Sequence, residues 1–477
     1  MRQSIVIIGG GVAGLACAAR LLELEPTCEV TVVEAEEQLG GLAALWRCGD
    51  CWADLGPHRL YTELPEIAAL LPQLLEGKQT IEVERRSQLF LEGHFYDYPV
   101  RAGELLQQMG LFRVGWYGMS AAAGILGRIT GRPQSYAQAM RQAFGSALYK
   151  KIIEPYTRKV WKTDPEMLSE EVARVRVSAG GAHKIVQRIL RGREEAKTKT
   201  ALDKFTYIRG GVEGLVHALE AKVLERGGNI EPALTVSRLC VENNLVKCVL
   251  TEPTSENASE QELEATAVIS TMPINELVAC LHSAIPSSSA QAARGLEYVG
   301  MILVGIELAK PRLTPNTWLY FPEEHIVFNR AYEPKNFDEG AAPPNTTFVV
   351  FEVTAKHSSS LWKQDAAAAV DLVIHDASRA GLFLESEVLR TYTKRIPYAY
   401  PIYDLRFREN LRLTCAGLQQ VKNLITTGRQ GLFNHNNMDH SMLMGIRAAE
   451  CLLGNPLSAA EKWYASLGQF DHFRIVD

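Results

Sequence analysis

The chain has 477 residues, 47% of them hydrophobic and 22% charged. This is the make-up of a globular protein with ample core material, and at roughly 150 residues per domain it predicts about three domains, or two with insertions. Fifty Lys and Arg stand against 55 Asp and Glu, and the net charge of -5 argues against general nucleic-acid binding.

Apolar runs and cysteines narrow the class further. No uncharged apolar run reaches the roughly 18 residues of a membrane span. The nearest, Val114 to Gly127 between Arg113 and Arg128, predicts a buried helix rather than one lying on a membrane surface. Strand residues begin at Ile5 without a cleavable signal pattern, so a cytoplasmic location is expected. Nine scattered cysteines read as free thiols rather than a disulfide framework. Cys48 and Cys51 form a C-x-x-C with no second ligand pair nearby, which reads as chance-spaced thiols in a hairpin and not as a metal site.

In chain order, Ser4 to Ile8 is a continuous apolar run, as in a parallel strand buried on both faces. Gly9, Gly11 and Gly14 follow as G-x-G-x-x-G, then a predicted helix from Leu15 to Leu24, a strand from Glu29 to Val33, and Glu34, 20 residues past the last glycine. That is the dinucleotide fingerprint. Gly9 allows the tight turn, Gly11 lets backbone N–H groups approach a pyrophosphate, Gly14 lets helix and sheet pack closely, and Glu34 faces ribose hydroxyls. A second glycine pair, Gly40 and Gly41, resembles the arrangement of FAD enzymes of the glutathione-reductase-like class. From Phe95 to Lys204 the pattern is mostly helical, with breaks at Pro133, Pro155 and Pro165. Gly210 and Gly211 precede a helix from Val212 to Arg226; a hairpin then turns at Asn243-Asn244, and Ala267 to Thr271 is a further strand. Thr254 to Glu262 reads as a solvated loop. Tyr298 to Arg412 alternates in strand fashion through Met301–Leu308, Val327–Tyr332 and Thr347–Val353. Asn423 to Thr427 reads as a strand, Gly428-Arg429 as a turn and Met438 to Leu453 as a helix. The expected fold is α/β: a discontinuous Rossmann-type FAD-binding domain (1–94, 205–275, 413–477) with an inserted helical domain (95–204) and an antiparallel-sheet substrate domain (276–412).

Four further segments carry a resemblance: Leu55-Gly-Pro-His-Arg-Leu-Tyr-Thr62, Tyr156-Thr-Arg-Lys-Val-Trp161, Trp318-Leu-Tyr-Phe-Pro322 with Arg330, and Gly428-Arg-Gln-Gly-Leu-Phe433 leading to Met438-Asp-His-Ser441. With the N-terminal motif they resemble UDP-galactopyranose mutase and its relatives, beside the protoporphyrinogen-oxidase and amine-oxidase flavoproteins. The resemblance implies FAD as cofactor, with Met438 and Asp439 opening a helix that faces the flavin. It places His58 beside the flavin's reactive edge, and Arg330 and Arg429 toward a substrate diphosphate, with Arg174 as a further cation. Tyr156, Trp161, Tyr320 and Tyr400 would line the pocket. Three positions depart from the mutase pattern. His435 stands where a tyrosine contacts phosphate, Tyr61 where bacterial mutases have a second histidine, and Asn437 where they have an acid.

Two chemistries stay open on this scaffold. One is mutase-type rearrangement of a sugar nucleotide at reduced flavin N5; the other is hydride transfer from a small organic substrate to flavin, as in porphyrinogen and amine oxidases. A non-catalytic flavoprotein is the third, weaker reading. The expected partners are a small anionic substrate and NAD(P)H or another electron donor or acceptor, with no metal, no nucleic acid and no integral membrane segment. Ala179 to Lys204 holds seven basic residues against three acids and reads either as a solvated basic helix or as a lid over an anionic substrate.

Overall fold

Short runs of β-branched and aliphatic residues, drawn from distant parts of the chain, build one parallel sheet. The computed structural model describes residues 3–98, 111–127, 131–176, 204–254, 259–282 and 284–475. The five strands stand in the order Leu424–Thr426, Ala267–Ser270, Ser4–Ile8, Glu29–Val33 and Asn229–Glu231. Ile7 lies beside both Val32 and Ile269, so the first strand is the centre of the sheet. Its apolar run is continuous because helices cover both faces. The helix after it runs from Val12 to Leu24, one turn earlier than expected, with Gly11 as its N-cap. Gly14 thus lies inside the first turn, where a Cβ would overlap the carbonyl oxygen of Gly9.

The far end of the chain returns to the same place. The helix Met438–Leu452 crosses Val12–Leu24 at Gly445, where a Cβ would overlap the carbonyl of Ala13. Close backbone approach between the two helices joins the chain ends into one discontinuous cofactor-binding unit.

The second large element is a seven-stranded sheet in the order Val388–Pro401, Tyr298–Leu308, Thr347–Ala355, Arg330–Tyr332, Trp318–Tyr320, Ser87–Leu91 and His94–Asp97. It is antiparallel except where Trp318–Tyr320 runs parallel to Ser87–Leu91. Two of its strands thus come from the N-terminal hundred residues, beyond the 276–412 stretch expected to supply it. Tyr298–Leu308 is buried at every position, not at alternate ones. One face packs on a helix, Ala366–Arg379, through Ala369, Val373 and Ala377. That helix lies in a stretch read as strand; its i, i+4, i+8 apolar spacing is a helical signal. The expected strand from Val327 shortens to Arg330–Tyr332, and Gly428-Arg429 opens a one-turn helix, Gly428–Gly431.

Four further helices are Leu111–Gly127, Tyr136–Leu148, Glu154–Trp161 and Glu171–Arg176. Pro155 does not break the pattern; it sits in the first turn of its helix, where a missing N–H costs nothing. Leu111–Gly127 packs on Tyr136–Leu148 through Gly124 and Gly145, and Ser120 Oγ accepts a hydrogen bond from the Ala147 N–H at 2.9 Å. The expectation of a buried helix here is corrected, because only that side is covered. Phe112, Trp116 and Met119 are 97%, 61% and 64% exposed. Of the basic stretch Ala179 to Lys204, residues up to 203 lie outside the described residues; Lys204 starts a strand paired with Thr80–Glu84.

Among the described residues all nine cysteines are free, no group of His, Cys, Asp or Glu is arranged to hold a metal, and no helix is long and apolar enough to cross a membrane.

Candidate active site

The cofactor cradle is made mostly of backbone. Gly9 has φ 104°, and a Cβ there would overlap Thr271 Oγ1, so this turn accepts only glycine. Gly11 differs. The nearest atom to a Cβ built there is the Gly40 carbonyl oxygen at 3.8 Å, so the space in front of it is open. The two glycine pairs meet: Gly11 and Gly40 form a parallel bridge, and the Gly40 N–H donates to Gly10 O at 2.9 Å. Gly40 and Gly41 both take positive φ, 114° and 54°. No side chain caps the Val12–Leu24 helix and no acid lies in its first turn, so its N–H groups and dipole face the open space in front of Gly11. This is an anion cradle that a side chain would fill, and it fits a dinucleotide pyrophosphate. Glu34 is anchored by accepting from the Gly10 N–H at 2.7 Å and the Glu36 N–H at 2.9 Å. Burial raises its pKa, and those same amide bonds oppose the rise.

Most of the expected substrate residues, carried on separate segments, lie within reach of one another. His58 lies near enough to both Arg330 and Arg429 for their charges to lower its pKa, adding to desolvation; it falls to about 4. The imidazole is therefore neutral at physiological pH, and its Nδ1 is buried without a hydrogen-bond partner among the described residues. Arg330 makes a bidentate pair with Glu352, at 2.9 Å from Nε and 2.6 Å from an Nη. The arginine side chain is 21% exposed and the carboxylate is fully buried. Arg429 donates to the carbonyls of Ala399 and Asn436 and stands 5.7 Å over the Tyr400 ring.

Aromatic rings form the walls. Tyr400 stacks on His435 at 5.3 Å, and Trp161 meets both, at 5.9 Å and 5.7 Å. Tyr320 bridges Tyr156 at 6.2 Å and Tyr98 at 5.5 Å. The Tyr156–Trp161 segment is held in place by Lys159, whose buried ammonium donates to the carbonyls of Phe321, Glu323 and Phe328. Met438 and Asp439 open the Met438–Leu452 helix, capped by Asn437 and by His440, whose Nδ1 accepts from the Asn437 N–H at 3.2 Å.

Three further residues are placed as follows. Arg174 does not join the cluster; it pairs with Glu171 in a surface network with Arg408 and Asp471. His435 is a buried ring in an aromatic stack. Tyr61 hydrogen-bonds to Glu63 at 2.9 Å. Two residues escaped the sequence reading. Glu352 was visible as a lone charge in an apolar strand, Thr347–Ala355, whose every position is buried. Thr271, which closes against Gly9, carried no signal of its own.

Comparison with known proteins fits this geometry. The family model for flavin containing amine oxidoreductases matches residues 12–453. Protoporphyrinogen oxidase, chloroplastic, of Oryza sativa subsp. japonica is 26% identical over 177 residues, which is 35% of this chain and 32% of that protein. Coproporphyrinogen III oxidase of Staphylococcus aureus (strain NCTC 8325 / PS 47) is 21% identical over 285 residues, 54% of this chain and 59% of that one. Both matches span less than two thirds of the relative's own length. A crystal structure of reduced UDP-galactopyranose mutase superposes with a TM-score of 0.83 at 21% identity, covering 100% of this chain and 99% of that chain, which establishes a shared fold. With a glycine cradle built for a dinucleotide and a family match across most of its length, this chain belongs to the flavin-containing amine oxidoreductases and is an FAD-dependent enzyme.

Proposed function

We propose that the enzyme acts on a small molecule bearing an anionic group, in the manner of the sugar-nucleotide mutases that it resembles. The observation that carries this reading is the convergence of Arg330 and Arg429 on neutral His58 beneath a wall of aromatic rings. When bound, FAD supplies a two-electron acceptor or, once reduced, a nucleophilic ring nitrogen. The protein's own groups do the rest. Arg429 is fixed by two backbone carbonyls and the Tyr400 ring, so its charge meets a developing negative charge without first reorganising. Arg330 is oriented by Glu352, which also cancels much of its field. His58, being neutral, acts through hydrogen bonding and not as an imidazolium acid. Tyr320, Tyr156, Trp161 and Tyr400 supply flat surfaces for a base or sugar ring and exclude water.

A second reading, net oxidation of a small organic substrate, is favoured by one specific feature. Glu352 neutralises Arg330, which leaves the walls largely aromatic, as suits a C–H donor held over the flavin. The two readings separate under anaerobic conditions. The enzyme reduced with dithionite or a nicotinamide donor is mixed with a panel of UDP-sugars and assayed for ring-form isomers. Isomer formed only by the reduced enzyme supports the mutase reading. Failure to bind any nucleotide diphosphate, together with bleaching of the oxidised enzyme by an uncharged substrate, would replace it with oxidation.

A further inference from the structure

We propose that the outer face of the Leu111–Gly127 helix docks this enzyme on the surface of an anionic lipid bilayer. The helix is 17 residues long, roughly 25 Å at 1.5 Å per residue. Its inner side is fixed on the Tyr136–Leu148 helix at Gly124 and Gly145, and Tyr117 joins Leu91 and Tyr96 of the strand hairpin beneath. Phe112, Trp116 and Met119 recur at i, i+4 and i+7 on the outer side and stand 97%, 61% and 64% exposed. Every other described residue exposed on this helix is Gly or Ala, so the exposed described residues offer no hydrogen-bonding side chain apart from the indole N–H. A solvated helix face is ordinarily charged. Large apolar groups exposed together mark an interaction surface.

The occupant follows from chemistry on either side of the helix. Between Asp97 and Glu154 the chain has seven Lys or Arg and a single acid, Glu104, although the whole chain is at -5. Arg132 and Lys150, both described, are exposed. Apolar side chains that include a tryptophan, flanked by cations and lying along one helix, match the interfacial layer of a membrane whose headgroups are negative. A second copy of the chain fits less well, because it would bring an equally basic segment against this one. A protein partner would ordinarily find pockets for its own side chains, and between the three projecting side chains the exposed described residues are only Gly and Ala.

Flotation of the FAD-loaded full chain with vesicles tests the proposal. It should float with phosphatidylcholine vesicles containing phosphatidylglycerol, and at least about tenfold less with phosphatidylcholine alone, as expected for combined apolar and electrostatic binding. The triple variant F112S/W116S/M119S should keep its FAD and lose flotation. Should that variant lose FAD, the single variant Trp116→Phe still decides the matter. It should float as the parent does, while quenching of tryptophan fluorescence by brominated acyl chains falls. A parent chain that floats with neither vesicle overturns the proposal, as does a triple variant that folds and floats unchanged. Unaltered quenching in Trp116→Phe also overturns it. A doubled mass by light scattering that reverts in the triple variant, without flotation, would assign the face to a second copy and overturn it too.

Discussion

The cofactor cradle and the wall of charged and aromatic side chains are built on opposite plans. The cradle consists of glycines, amide groups and one helix terminus, all within residues 9–41, with Thr271 closing one side. The wall consists of side chains, with His58, Arg330, Glu352, Tyr400 and Arg429 carried on segments far apart in sequence. In the cradle, function depends on what is missing at the Cβ position. In the wall, the charged side chains are held in place by one another and by backbone carbonyls.

That contrast is sharpest within the glycine motif itself. Gly14→Val would drive a side chain into the Gly9 carbonyl and should abolish soluble folded protein. Gly11→Val meets no atom of the protein closer than 3.8 Å at Cβ. It should leave a chain with its native circular dichroism that is colourless after purification and cannot be reconstituted with FAD. If Gly11→Val unfolds as Gly14→Val does, the two glycines share one structural role and the distinction fails.

On the wall, Glu352→Gln comes next in size. It leaves the Arg330 charge largely buried without its carboxylate, and chemical denaturation should show a loss of about 3 kcal/mol, the range for breaking a buried pair. Stability equal to the parent would mean that the pair is solvated. Arg429→Ala should then retain FAD and lose turnover equivalent to about 2–4 kcal/mol of transition-state stabilisation, with poor rescue by lysine because the two-carbonyl fork is lost. Unchanged kinetics would remove Arg429 from the chemistry.

His58 makes a prediction about pH. Its pKa falls from 6.5 to about 4 in the folded protein, so below pH 6.5 the unfolded chain takes up a proton that the folded chain refuses. The corresponding stability is present above pH 6.5 and disappears as pH falls toward 4. The melting temperature of the parent should therefore drop more steeply across that window than that of His58→Gln, and parallel curves would refute the assignment. Activity between pH 6 and 8 should show no inflection that His58→Gln removes. The smallest effect belongs to Arg174→Ala. Its surface pair with Glu171 lies outside the cluster, so turnover and substrate affinity should be unchanged. A large loss would bring it back into the site.

Much of this architecture was readable from local pattern. The strand–glycine–helix–strand–acid order from Ser4 to Glu34 is enforced by backbone sterics, which act between near neighbours and so leave a local trace. The Ala366–Arg379 helix was missed although its alanines and its Ala369, Val373, Ala377 spacing are a helical signal, because strand-like segments flank it on both sides. The exposed Leu111–Gly127 face was misjudged for a related reason. Apolar residues signal that something should cover them, and not whether the cover is the protein's own core.

By itself, then, the sequence determined the dinucleotide cradle and the discontinuous α/β plan, because both are written in spacing or in resemblance. Only the tertiary structure decided which charges are already spent. Glu352 stands opposite Arg330 by strand register, Tyr400 stacks on His435, and Arg174 turns to Glu171. The first two pairings join positions tens of residues apart, and no local pattern encodes such distances; the third is a local pair on one helix, and only the placing of that helix keeps it outside the cluster.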